Sequence, residues 1–191
     1  MISISTVFWI MIIFLALIGS MRGWTKEIVA TSGLVLSLFT INQFGTFLTG
    51  LVAGDVIDTE VARRQAFYWF TFIHLLIAFF SYQGPAFAGT RLADRLRIRD
   101  NLQDKFMGFL VGGVNGYLIV GSILAFLEFQ LQGPATWVRL PPGVQYPFPL
   151  ETITRATQLD SLMTNLPIPF LAPYLPFLVV IVFLFVLVVM I

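Results

Sequence analysis

Few side chains in this sequence could do chemistry, and they are thinly spread. His74 is the single histidine and stands mid-way along residues 66–82, among Tyr68, Trp69, Phe70, Phe72 and Phe79. An ionisable group inside an apolar stretch is a functional candidate by default. The plainest role is a neutral imidazole bonded across helices, to Asn115 or to a hydroxyl. A second is the axial ligand of a haem or magnesium tetrapyrrole, which one imidazole in an aromatic-lined span would suit. A carotenoid or quinone contact stays open beside it. A proton relay needs a chain of titratable groups, and the apolar stretches supply none beyond His74.

The other cluster is Arg22, Lys26 and Glu27. Arg22 and Lys26 lie one helical turn apart, so both can reach phosphates at a membrane interface, and Trp24 suits the aromatic belt between them. The three charges could also pair with one another beneath a bundle. In residues 52–65, three acids and two arginines make a metal site conceivable, but a solvated loop leading into a helix is the simpler reading, with Asp58 or Thr59 as its cap. No Walker loop, zinc-protease helix, nucleophile elbow or zinc pair occurs, and nothing here supports an enzyme.

What must position these groups is a membrane bundle. The chain has 191 residues, 58% hydrophobic and only 11% charged, against about 25% charged in soluble domains. Its mean hydropathy is +0.88. The net charge of +1 carries no nucleic-acid signature, and the absence of cysteine excludes disulfides and thiolate metal sites. Apolar runs over residues 3–18, 28–51, 66–82, 106–127 and 174–191 predict an all-α membrane protein with five spans. The first run starts without Lys or Arg and lacks a cleavage signature, so it reads as a retained helix. One or two interfacial amphipathic helices are expected at residues 86–105 and 151–164.

The fourth run is the packing hub. Gly108, Gly112 and Gly116 recur every four residues and share a face along which another helix can approach to backbone contact. Asn115 stands beside that face and needs a partner inside the bundle. Gly33 and Ser37 form a second small pair on the second span. Gly84 and Pro85 are expected to kink or end the third span. The prolines of residues 128–150 exclude a continuous helix there, and Pro167, Pro169, Pro173 and Pro176 predict an extended approach to the last span. The chain thus divides into a core (1–127), a Pro-rich external segment (128–172) and a terminal span (173–191).

Orientation follows from the cations. Arg22, Lys26, Arg91, Arg95, Arg97, Arg99 and Lys105 fall on one side, as interface anchors. Arg63, Arg64, Arg139 and Arg155 fall on the other. The positive-inside rule then puts the N-terminus outside and the C-terminus in the cytoplasm.

The first four spans resemble the colicin V production (CvpA) family of small bacterial inner-membrane proteins. Residues 21–27 (Met-Arg-Gly-Trp-Thr-Lys-Glu) are similar to the family's Arg-Gly-x-x-x-Glu junction. Residues 55–60 resemble its acidic connection before the third helix. From Asp104 onward, Asp-Lys-x-x-Gly followed by small residues and Gly-Tyr-Leu-Ile-Val resembles its Asp-Arg-x-x-Gly helix, with Lys105 in place of Arg. The resemblance covers residues 1–130, and the fifth span goes beyond it. It implies a non-enzymatic role in secretion or envelope maintenance through protein partners, and it brings no catalytic residues. The alternative is an accessory or scaffold subunit of a larger respiratory or photosynthetic membrane complex. A channel is disfavoured, because the spans hold too few polar groups to line a water-filled path. Expected partners are membrane lipids and other membrane subunits or a second copy, not nucleic acid.

Overall fold

A computed structural model describes residues 4–53, 60–87, 102–127 and 165–190. They form helices α1 (Ile4–Arg22), α2 (Trp24–Ala53), α3 (Glu60–Phe87), α4 (Leu102–Leu127), α5 (Pro167–Leu171) and α6 (Leu175–Met190), with a 3-10 turn at Ala172–Tyr174 between the last two. No strand occurs among the described residues, and four helices carry stretches long and apolar enough to cross a membrane: Ser5–Arg22, Trp24–Gly45, Gln65–Gln83 and Leu102–Leu127. The protein is an all-α, multi-pass membrane protein. The last apolar stretch, Ala172–Phe185, is shorter than the other four.

The first two helices are joined by one residue. Gly23 has φ +85°, a conformation that a side chain disfavours and that commonly closes a helix. Its N–H donates to the Gly19 carbonyl at 3.0 Å, and its own carbonyl accepts from Glu27 N–H at 3.3 Å. Helix α2 therefore begins at Trp24, and Lys26 and Glu27 lie within its first turn rather than in a polar connection.

Helix α4 is central. It packs along α1, crosses α2 and touches α3 and α5, while α2 pairs with α3 and also meets α6. Gly19 of α1 lies on Gly108 and Gly112, and Ile12 and Leu15 lie on Gly116, so α1 and α4 run antiparallel. The core joins Leu34, Leu38 and Ile41 of α2 to Phe70 of α3 and to Leu118 and Phe126 of α4. The outward faces stay apolar, as at Ile13, Phe72, Phe79, Phe106 and Leu110. That pattern suits lipid as the surrounding solvent.

Two local expectations differ from the structure. Helix α3 continues through Gly84 and Pro85 to Phe87. Pro85 removes one intrahelical bond only two residues from the helix end, where little ladder remains to be lost. The proline-rich approach to the last span is not extended throughout. Leu166 is extended (φ −71°, ψ 154°), but Pro167 then opens the short helix α5, since proline is preset for the first helical position. Leu166, Pro167 and Ile168 are buried, with the Pro167 ring against Gly121 of α4.

Several expectations fall on residues outside those described. These are the basic amphipathic segment with Arg91, Arg95, Arg97 and Arg99, the cap at Asp58 or Thr59, the Pro-rich residues 128–150 and the amphipathic residues 151–164.

Candidate functional site

A carboxylate sits at the meeting point of the four spanning helices. Glu27 of α2 is wholly buried. Arg22, at the end of α1, reaches its Oε1 through Nη1 at 2.6 Å. Its Oε2 accepts from the Tyr82 hydroxyl of α3 at 3.2 Å and from the Asn115 amide of α4 at 2.8 Å. The second Asn115 N–H goes to the Glu27 backbone carbonyl at 3.0 Å. Both carboxylate oxygens are thus bonded, each by charge-assisted or amide donors.

The donors are themselves held. Arg22 Nη2 donates to the Tyr82 carbonyl at 2.8 Å, and its guanidinium lies 4.2 Å from the centre of the Tyr82 ring. The Thr31 hydroxyl, one turn along α2, donates to the Glu27 carbonyl and lies 2.7 Å from the Asn115 amide oxygen. Asn115 stands at the middle of α4, so this polar knot reaches into the apolar length of that helix, where an unpaired polar group is costly. A buried carboxylate that accepts from three other helices binds those helices together.

Arg22 and Lys26 therefore part company. Arg22 turns into the bundle, and Lys26 stays exposed. A further participant at this end is Asp104, in the first turn of α4. Its Oδ1 accepts from Trp24 N–H at 3.2 Å. The first N–H groups of a helix have no partner in their own helix; here a carboxylate from another helix supplies one. A Cβ added to Gly23 would meet Asp104 Oδ2 at 2.6 Å, so the junction glycine also clears space for this cap.

The glycine face of α4 is used in full. A Cβ at Gly108 would lie 2.5 Å from the Gly19 carbonyl oxygen, and one at Gly112 would lie 2.8 Å from Gly19 Cα. At Gly116 it would meet Leu15 Cβ at 3.0 Å. Gly33 of α2 faces the Ser81 side chain of α3 with no room for a Cβ.

His74 is wholly buried. Its Nδ1 and the Ser37 hydroxyl share a hydrogen bond of 2.9 Å, and its ring stands edge-on to Phe126 at 5.7 Å. Among the described residues Nε2 has no partner within hydrogen-bond geometry. Asn115 serves Glu27 instead. The imidazole of α3 is enclosed between Ser37 of α2 and Phe126 of α4.

Some of these residues escaped the sequence. Tyr82 and Thr31 are ordinary residues of apolar helices, and only the fold brings them to Glu27. Gly19 had a readable signal: with Gly23 it repeats the four-residue spacing of Gly108, Gly112 and Gly116. Tyr117 also gave none. Its hydroxyl donates to the Asn165 carbonyl, which supplies a donor to backbone where the chain is not helical.

The sequence matches the family described as colicin V production protein over residues 4–140. That range contains α1 to α4 and stops short of α5 and α6. No curated protein and no solved structure matches the chain.

Proposed function

This chain belongs to the colicin V production protein family, and from that premise we propose that it is a non-enzymatic protein of the bacterial inner membrane. In this reading it acts through protein partners, in secretion of the colicin V type or in maintenance of the envelope. The observation that carries the reading is the state of Glu27. This buried carboxylate accepts from Arg22, Tyr82 and Asn115 on the three other spanning helices, so its work is to fix four helices relative to one another. A rigid bundle with apolar outward faces is a scaffold for neighbours in the membrane. The cationic end, with Lys26 and Lys105 exposed, is assigned to the cytoplasm, which places the N-terminus outside and the C-terminus inside.

A deletion strain tests this directly. It should lose export of colicin V or resistance to envelope stress, and the wild-type gene should restore it. Normal export and normal resistance in that strain would remove the ground for the reading. Labelling a cysteine placed at position 97 from outside the cell would reverse the orientation.

The exposed aromatic face of α3 supports a second reading. Trp69, Phe72, Phe79 and Phe80 all face outward, as a subunit docked in a larger energy-transducing assembly would present. Purification in mild detergent, followed by mass spectrometry and an absorption spectrum, separates the two. Co-purifying respiratory or photosynthetic subunits, with pigment or quinone, would favour the second.

A further inference from the structure

A groove of about 660 Å³ opens beside the start of α4, lined by Ser20 of α1 and by Leu102, Gln103, Lys105, Phe106 and Phe109. Leu102, Phe106 and Phe109 recur at helical spacing, so they form one apolar strip running toward the middle of the helix. Phe106 and Leu102 are strongly exposed. The polar members, Ser20, Gln103 and Lys105, complete the lining. The groove is thus mostly apolar, with a cation and two hydrogen-bonding side chains among its lining residues.

Charge decides what fits it. At this end of the bundle Arg22 is paired with Glu27, and Asp104 is turned toward Trp24 N–H and Gly23. Lys105 has no ion pair or hydrogen bond among the described residues. An exposed ammonium beside an aromatic strip attracts a ligand with an anionic head and an apolar tail. We propose that this groove is a binding site for an anionic phospholipid. The phosphate sits on Lys105 with Ser20 or Gln103 as further donors, and an acyl chain lies along Phe106 and Phe109. The volume suits the headgroup and the upper part of one chain, leaving the rest in the bilayer.

The test uses the full chain in nanodiscs of phosphatidylcholine with a minor share of phosphatidylglycerol, released and weighed by native mass spectrometry. The wild-type protein should retain phosphatidylglycerol over phosphatidylcholine by about fivefold, the effect of one cation at an anionic lipid surface. Lys105→Gln should abolish that preference with an unchanged circular dichroism spectrum, and Lys26→Gln, outside the groove, should keep it. Phe106→Ser should weaken retention of both lipids. Equal retention of the two lipids by the wild type would overturn the proposal, as would an undiminished preference in Lys105→Gln. Displacement of the lipid by inorganic phosphate alone would also count against it, because the site would then be reading the phosphate without the chain.

Discussion

Helix α4 meets α1 at its glycines with almost no side chain between them, and meets α2 through an apolar core joined by a knot of polar side chains. Along the first contact, Gly108 and Gly112 lie on Gly19 backbone to backbone. Nothing there is charged, and cohesion comes from close van der Waals contact, which is what remains when lipid is as apolar as the interface. At the second, Asn115 donates twice to Glu27 while Thr31 lies beside its amide oxygen. At Gly108 and Gly112 the first joint can tolerate no added atom. The polar joint depends instead on every partner being present. In lipid, where burial of apolar surface cannot hold helices together, these are two distinct routes to a fixed geometry, and this bundle uses them on two sides of one helix.

The largest effect should come from breaking the polar joint at its charge. Arg22→Met leaves Glu27 buried without its cation, and should lower stability by about 3–5 kcal/mol, read as the midpoint of unfolding by dodecyl sulfate in mixed micelles. The double variant Arg22→Met/Glu27→Gln should recover much of that loss. If the double variant is as unstable as the single one, the cost lies in lost packing rather than in uncompensated charge.

Next comes the seam. Gly112→Leu should cost at least the about 1–3 kcal/mol of an overpacked core, because its first added atom already meets Gly19 Cα. Gly113→Ala is the control, since a Cβ there meets only Ala16 Cβ at 3.6 Å and should be near neutral. Equal, small effects at positions 112 and 113 would erase the distinction between the two joints.

Asn115→Leu keeps the volume and removes two donors, and should cost about 1.5–3 kcal/mol, the range for hydrogen bonds to charged groups. Smaller still is Ser37→Ala at the α2–α3 contact. Hydrogen bonds between membrane helices average about 0.6 kcal/mol, so its unfolding midpoint should shift only slightly. A large shift there would mean that the Ser37–His74 pair has a part in the bundle comparable to that of Glu27.

Much of the architecture was legible in the sequence. The four long helices follow from runs of apolar residues long enough to cross a bilayer, because lipid punishes unpaired backbone and leaves the helix as the economical choice. The resemblance to the family rested on residues 21–27 and on the stretch from Asp104. These lie some eighty residues apart in the chain, yet they meet: Gly23 lies on Asp104, and Glu27 on Asn115. Their common occurrence has a physical reason, since each is half of one joint. The boundaries were less legible. The single-residue junction at Gly23 draws Glu27 into α2, and that depends on one left-handed backbone conformation.

By itself the sequence determined the solvent of this protein, the place of the four long helices among the described residues and the face of α4 that could accept a bare backbone. These are properties of composition and of helical period, which are local. Only the tertiary structure decided that Gly19 fills that face, that Arg22 turns inward while Lys26 does not, and that Tyr82 and Asn115 close on Glu27. Those choices depend on how four helices cross, and a crossing is set by contacts between residues far apart in the chain.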